Sequence, residues 1–226
     1  AIVQGGSVVT WGDKQKGADS SRVRRLLTKV QDVQATESAM AALREDGTVV
    51  TWGHALYGGD STPVRRQLRE VTRLVASDGA FAAIRADGSV VTWGFDEGGG
   101  DSSAVQEQLH DVQSITASAY AFAALRSDGS VVTWGQDMDG GNASGLELTG
   151  IQEVHGSCGA FAALRTDGTV QCWGNPFFGG DSAFVQDQLT DVKQLCSMAG
   201  GFSALLADGS YVCWGAGNME QPFEIA

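Results

Sequence analysis

At 226 residues and 42% hydrophobic content the chain can bury one large core or two small ones. Its apolar stretches are only a few residues long, far short of the roughly 20 a helical membrane span needs, so a soluble chain is expected and no signal-peptide pattern is present. A formal net charge of −12 argues against direct binding of nucleic acid.

In chain order, the first recognisable stretch is QGGSVVTWG at 4–12, and near-copies follow: EDGTVVTWG at 45–53, ADGSVVTWG at 86–94, SDGSVVTWG at 127–135, TDGTVQCWG at 166–174 and ADGSYVCWG at 207–215. Trp11, Trp52, Trp93, Trp134, Trp173 and Trp214 are separated by 41, 41, 41, 39 and 41 residues. A fixed period of this size marks a solenoid, propeller or array. Asp-Gly between two β-rich runs predicts a hairpin in which both turn positions take positive φ, so Gly47, Gly88, Gly129, Gly168 and Gly209 are structural. In the repeat at 112–135 the strands are expected at Val112 to Ser118, Phe122 to Arg126 and Val131 onward, with Val132 and Trp134 sharing one face. One repeat thus supplies a three-stranded antiparallel sheet that cannot cover both faces alone.

The connection from each Trp-Gly to the next strand is too long to be featureless. A short helix fits it, capped by Asp101, Ser102 or Ser103, with Val105 and Leu109 on one side, and the spacing returns at Val23/Leu27, Val64/Leu68 and Val185/Leu189. Pro63 suits a first helical turn. The shortened GGNASGLELTG at 140–150 carries Gly145 and is expected to lack a helix. The expected fold is all-β: a closed β-propeller of six blades, each of three antiparallel strands, forming one domain over 1–226. Closure is expected from the N-terminal hairpin at 1–12 pairing with a C-terminal strand at 222–226.

The AL-x-x-DG-x-V-x-x-WG core resembles the repeat of the regulator of chromosome condensation family, over essentially the whole chain. The short period is similar to the three-stranded blades of the secreted β-lactamase-inhibitor propeller, and GGDS stands where longer repeats carry GQLG. Glycine rather than aspartate follows each tryptophan, unlike WD40 repeats. The resemblance implies a β-propeller and functions ranging from nucleotide exchange on a small GTPase to ubiquitin-ligase repeats and light reception. It implies a cytoplasmic or nuclear setting, whereas processing at Ala1 would imply an organelle lumen or secretion.

The six tryptophans read as wedge fillers between blades, with the following glycine letting the chain turn. The repeated aspartates read as turn residues, and His54, His110 and His155 occupy unrelated repeat positions, so no catalytic or metal constellation, cofactor or enzyme activity is expected. DMDGGN at 137–142 lacks the ligand series of a calcium loop. Asn142-Ala143-Ser144 is a glycosylation sequon, meaningful only in a secretory setting. The four cysteines, Cys158, Cys172, Cys196 and Cys213, show no zinc spacing and are expected to be free thiols, Cys172 and Cys213 filling a slot held elsewhere by threonine.

Function is expected where repeats differ. Tyr57, Phe95, Phe177 and Phe178 stand in the variable loops, and Arg22, Arg24, Arg25, Arg65, Arg66 and Arg69 form a basic ridge where later repeats carry Gln106-Glu107 and Gln186-Asp187. Residues 1–88 hold 12 Lys/Arg against 10 Asp/Glu, a net of +2, and residues 89–226 hold 3 against 17, a net of −14. The expected role is a non-enzymatic, monomeric protein-binding propeller or scaffold subunit, within a large or membrane-associated complex. Carbohydrate binding and guanine-nucleotide exchange are the alternatives.

Overall fold

The computed structural model describes residues 1–215. The fold is all-β, with 17 strands among the described residues in propeller-type sheets, five of three strands and one of two. The chain divides into two compact units, Ala1–Ile115 and Thr116–Ala226.

In the first unit, β1 (Ile2–Val3) pairs with β2 (Ser7–Val8) as a hairpin. Two full blades follow: β3 (Val30–Ala35), β4 (Ala39–Arg44) and β5 (Val49–Gly53), then β6 (Val71–Ala76), β7 (Ala80–Arg85) and β8 (Val90–Gly94). β9 (Val112–Ala117) crosses the boundary between units. The second unit holds β10 (Ala121–Arg126) and β11 (Val131–Gly135), then β12 (Ile151–Gly156), β13 (Ala160–Arg165) and β14 (Val170–Gly174), and finally β15 (Val192–Met198), β16 (Gly201–Leu206) and β17 (Tyr211–Gly215). Each strand pairs antiparallel with its sequence neighbour in the blade, and the tryptophan faces a fixed register partner, as in Phe81↔Trp93 and Phe161↔Trp173.

The middle strands explain why small and large residues alternate. Ala39, Ala41 and Leu43 of β4 form one buried cluster with Phe81, Ala83, Val91 and Trp93 of the next blade. The same exchange joins Ala160, Ala162 and Leu164 to Phe202, Ala204, Val212 and Trp214. One face of a blade is shaved to alanine and receives the rings of its successor, which stack in pairs: Phe81 on Trp93 at 5.2 Å and Phe161 on Trp173 at 5.3 Å between centroids. Burying each ring contributes on the order of 1.5–3 kcal/mol, and two-faced burial is what an isolated three-stranded sheet lacks.

Polar contacts fix the joints. The indole Nε1–H of Trp93 donates to the Gly58 carbonyl at 3.0 Å, and Trp52, Trp173 and Trp214 donate likewise to Gly17, Gly140 and Gly179. Each ring therefore reaches the loop of the preceding repeat, and its one donor is satisfied. At the other end of the blade the hairpin glycine accepts from the next repeat: the Val71 N–H bonds the Gly47 carbonyl and the Val192 N–H bonds that of Gly168, both at 3.0 Å. Gly47 has φ +73°, and a Cβ there would meet the Glu70 backbone at 3.1 Å.

Three expectations are corrected. The hairpin is not a two-residue turn with two positive-φ residues: the Gly47 N–H donates to the Arg44 carbonyl, Arg44 closes onto Thr48, and only the glycine has positive φ. This is a three-residue turn with a glycine bulge, and Asp46 keeps negative φ because its carboxylate accepts from the Thr48 N–H and hydroxyl. The connecting helices shrink to single 3-10 turns at Gln106–Gln108 and Gln186–Gln188 and to non-helical turns in the first two repeats. Asp101 accepts from the Ser103 N–H, and the Ser102 hydroxyl meets Thr92 and Gln106 rather than the backbone of the turn. Further 3-10 turns follow Trp-Gly, as at Ala55–Tyr57 and Asp137–Asp139, while 140–150 is helix-free as expected.

Trp11 is 73% exposed, against the expectation of a core ring. The position twelve residues before each of the other tryptophans supplies its partner, Met40, Phe81, Phe122, Phe161 or Phe202, whereas Trp11 lies past β2, which ends at Val8, and pairs with no strand among the described residues. The expected strand at 222–226, and with it the closure onto residues 1–12, lies outside the described residues.

Candidate interaction groove

The residues that repeat are consumed by the scaffold. Thr51 Oγ1 and Ser61 Oγ lie 2.9 Å apart, and Thr92 and Ser102 repeat the pair at 2.8 Å, which accounts for threonine before tryptophan and serine in GGDS. Cys172 takes the threonine slot and bonds Ser182, and burial pushes its thiol pKa up to about 11. All four cysteines are free. The GGDS aspartates cap the chain two residues on, Asp60 accepting from Thr62 N–H and Asp181 from Ala183 N–H. The hairpin aspartates Asp46, Asp87, Asp128, Asp167 and Asp208 have carboxyls held below the ordinary value, chiefly by the following Ser or Thr hydroxyl and then its N–H. Among the described residues no three His, Cys, Asp or Glu side chains gather as a metal site, and no helix is long and apolar enough to cross a membrane.

The expected basic ridge lies in the first unit. Arg22, Arg24, Arg25, Arg65, Arg66 and Arg69 are all exposed, on the turns that connect β2 to β3 and β5 to β6. Between those turns opens a groove of about 460 Å³, lined by apolar Val23, Leu26, Val49 and Leu68 and by Arg44, Arg65 and Arg69. Arg44 is fixed, its Nε donating to the Thr28 carbonyl at 3.1 Å and its Nη1 lying 2.8 Å from Asp46. Arg65 and Arg69 make no ion pair among the described residues.

One residue sets this groove apart from the corresponding places in later repeats. In the next repeat Gln106 folds back, its Nε2 donating to the Val90 carbonyl on the outer edge of β8 while its Oε1 accepts from Ser102. Gln186 does the same to Val170 and Ser182. In the shortened connection the Leu148 carbonyl covers the corresponding edge by accepting the Val131 N–H at 3.1 Å. Arg65 occupies the glutamine position, thirteen residues after the tryptophan; it is exposed like those glutamines but makes no comparable bond to the Val49 carbonyl among the described residues. Val49, the counterpart of Val90 and Val131, faces the groove with no hydrogen-bond partner on that side among the described residues.

The expected aromatic residues divide by place. Tyr57 lies 5.4 Å from His54 and 6.2 Å from Phe95 between ring centroids, joining the variable loops of successive repeats, and it also packs on the buried cluster beneath. Phe178 packs on the core of the second unit and meets Phe177 edge-on at 5.2 Å, leaving Phe177 65% exposed. Residues missed in the sequence are Leu26 and Phe184, the latter 98% exposed. Leu26 was readable, since it stands where the other full-length repeats carry Gln67, Gln108 and Gln188.

No family model matches this chain, and no curated protein sequence matches it. Among solved structures it is similar to yeast RCC1 (Prp20) bound to Kap60, at 17% identity and a TM-score of 0.57, over 90% of this chain and 61% of that one. It is also similar to the CRINKLY WD40 ectodomain of the Arabidopsis thaliana receptor kinase ACR4, at 22% identity and TM-score 0.51, over 82% and 63% of the two chains. A third is the ectodomain of the Physcomitrella patens receptor kinase CR4, at 19% and 0.51, over 83% and 50%. The chain thus spans half to about three-fifths of the length of these structures, and at such identities the likeness shows the propeller repeat fold alone.

Proposed function

We propose that this chain is a non-enzymatic protein-protein interaction propeller, a scaffold subunit with repeats of the regulator of chromosome condensation type. The observation that carries the reading is the division of labour among residues. Serine, threonine, aspartate and the buried indoles are spent on holding repeats together, while Arg24, Arg25, Arg65 and Arg66 are exposed, unpaired with acids among the described residues, and replaced in later repeats. A carbohydrate-binding reading needs accessible rings, and Trp52, Trp93, Trp134, Trp173 and Trp214 are buried. The similar yeast structure holds a protein partner, Kap60, which agrees with interaction as the role.

The test is affinity capture from the native source with mass spectrometry, comparing wild type with the Arg65→Glu/Arg66→Glu double variant and a Glu107→Arg control. The expected result is a partner lost with the double variant and kept with the control. Recovery that ignores the double variant would remove the ridge as the docking surface. Release of labelled guanine nucleotide from small GTPases separately tests the exchange-factor reading.

A further inference from the structure

We propose that the groove beside β5 receives an acidic, extended peptide segment of the partner, which adds its backbone to the open edge of β5 while its carboxylates meet Arg65 and Arg69. The proposal rests on the interaction reading above and names the chemistry of the partner at one place. Two independent features of the groove select this occupant.

The first feature is the open edge. In the β4–β5 pair Arg44 N–H donates to the Thr48 carbonyl, and Leu43 stands opposite Val49. By antiparallel alternation the N–H and carbonyl of Val49 therefore point away from β4. The equivalent groups elsewhere are used: the Val90 and Val170 carbonyls by glutamine side chains, and the Val131 N–H by the Leu148 carbonyl. A strand edge left with an unpaired donor and acceptor is a template for another extended chain. The fold caps one of these two groups in each of three neighbours by local means and neither of them here.

The second feature is charge. The residue that would have been the cap is Arg65, and Arg69 and Arg44 line the same groove. Guanidinium groups pair carboxylates through two parallel hydrogen bonds, and Val23, Leu26 and Leu68 supply apolar lining for alternate side chains of a strand. The groove therefore suits a segment that alternates acidic and apolar residues, a pattern that lays carboxylates on one side and methyl groups on the other.

The test uses the full chain and a fluorescein-labelled seven-residue peptide alternating Glu and Val. Fluorescence anisotropy and amide chemical shifts are read for wild type, Arg65→Gln and the charge control Lys16→Gln. Arg65→Gln installs the side chain the other repeats use as a cap, so it is compatible with the fold. The expected result is peptide binding with shifts at the Val49 and Thr51 amides, weakened at least tenfold by Arg65→Gln and less than twofold by Lys16→Gln. A Lys-Val peptide and a fully N-methylated Glu-Val peptide should not bind. No shift at Val49 at millimolar peptide, indifference to Arg65→Gln, or equal binding of the N-methylated peptide would each overturn the proposal. Self-association abolished by Arg65→Gln, with no response to peptide, would assign the groove to a second copy and overturn the peptide reading. A native partner captured equally by wild type and Arg65→Gln would leave the interaction reading standing and remove the groove, whereas peptide binding without any captured partner would do the reverse.

Discussion

Trp93 and Trp173 each do two things at once: the ring stacks on the phenylalanine of the adjacent strand, and the N–H donates to a glycine carbonyl one repeat back. Trp93→Ala should therefore cost about 3–5 kcal/mol in urea unfolding, the range for emptying a buried large aromatic site, whereas Trp11→Ala should cost under about 1 kcal/mol because that ring lies largely in solvent. Titration follows the same local logic. The hairpin aspartates have folded pKa values below 3.8, so the stability they contribute is present above their unfolded value and is lost as pH falls through the folded one. Carboxyl resonances followed through acid titration should accordingly show midpoints for Asp46, Asp87, Asp128, Asp167 and Asp208 below that of an unfolded peptide. Cys172, with its thiol pushed to about 11, should react with a disulfide reagent at pH 8 far more slowly than the exposed Cys158 and Cys196.

At the scale of elements, two glycines with nearly the same backbone separate conformation from packing. Gly58 has φ +93° and Gly145 φ +89°, but a Cβ on Gly58 would fall 2.6 Å from the Phe81 ring and one on Gly145 would meet nothing within 4 Å. Gly145→Ala should cost only the left-handed backbone penalty, about 1–2 kcal/mol, and Gly58→Ala a further 1–3 kcal/mol for overpacking. Thermal unfolding with equal losses at the two sites would contradict the packing assigned here. The strands themselves were legible from period and alternation: the runs expected at Val112 to Ser118, Phe122 to Arg126 and Val131 onward agree with β9, β10 and β11 to within a residue. The connections were not legible as 3-10 turns, because valine and leucine four apart satisfy both an α-helical turn and a tighter one whose last leucine is buried. The Thr92–Ser102 hydroxyl pair that pins this connection is a tertiary contact that no local window contains.

For the whole chain the sequence already states an uneven distribution of charge, +2 over residues 1–88 against −14 over 89–226, and the exposed arginine ridge falls in the first part. Association with an acidic partner should slow as added salt shortens the Debye length toward 8 Å, and stopped-flow rates for Arg65→Glu/Arg66→Glu should lose most of that dependence. The basic ridge was visible in the letters because arginine replaces glutamine at a fixed offset. The groove was not, since it depends on where Gln106 and Gln186 put their side-chain amides, and the sequence lists those residues without showing that they are caps.

The turn after each Trp-Gly carries one more implication, for how such a protein changes over evolutionary time. His54, Phe95, Gln136 and Asn175 enter it with φ between −68° and −72° and ψ between 117° and 126°, and Gly58, Gly99, Gly140 and Gly179 leave it with φ between 91° and 94°. The four letters from the entry residue up to that glycine read HALY, FDEG, QDMD and NPFF, and no position among them is the same in all four. Backbone hydrogen bonds and the closing glycine hold the geometry, so the letters between can vary even though Tyr57 and Phe178 also pack on the clusters beneath. Each repeat thus presents an exchangeable cassette on a constant frame, and new recognition surfaces can be written into this chain by point substitution without altering the frame that carries them.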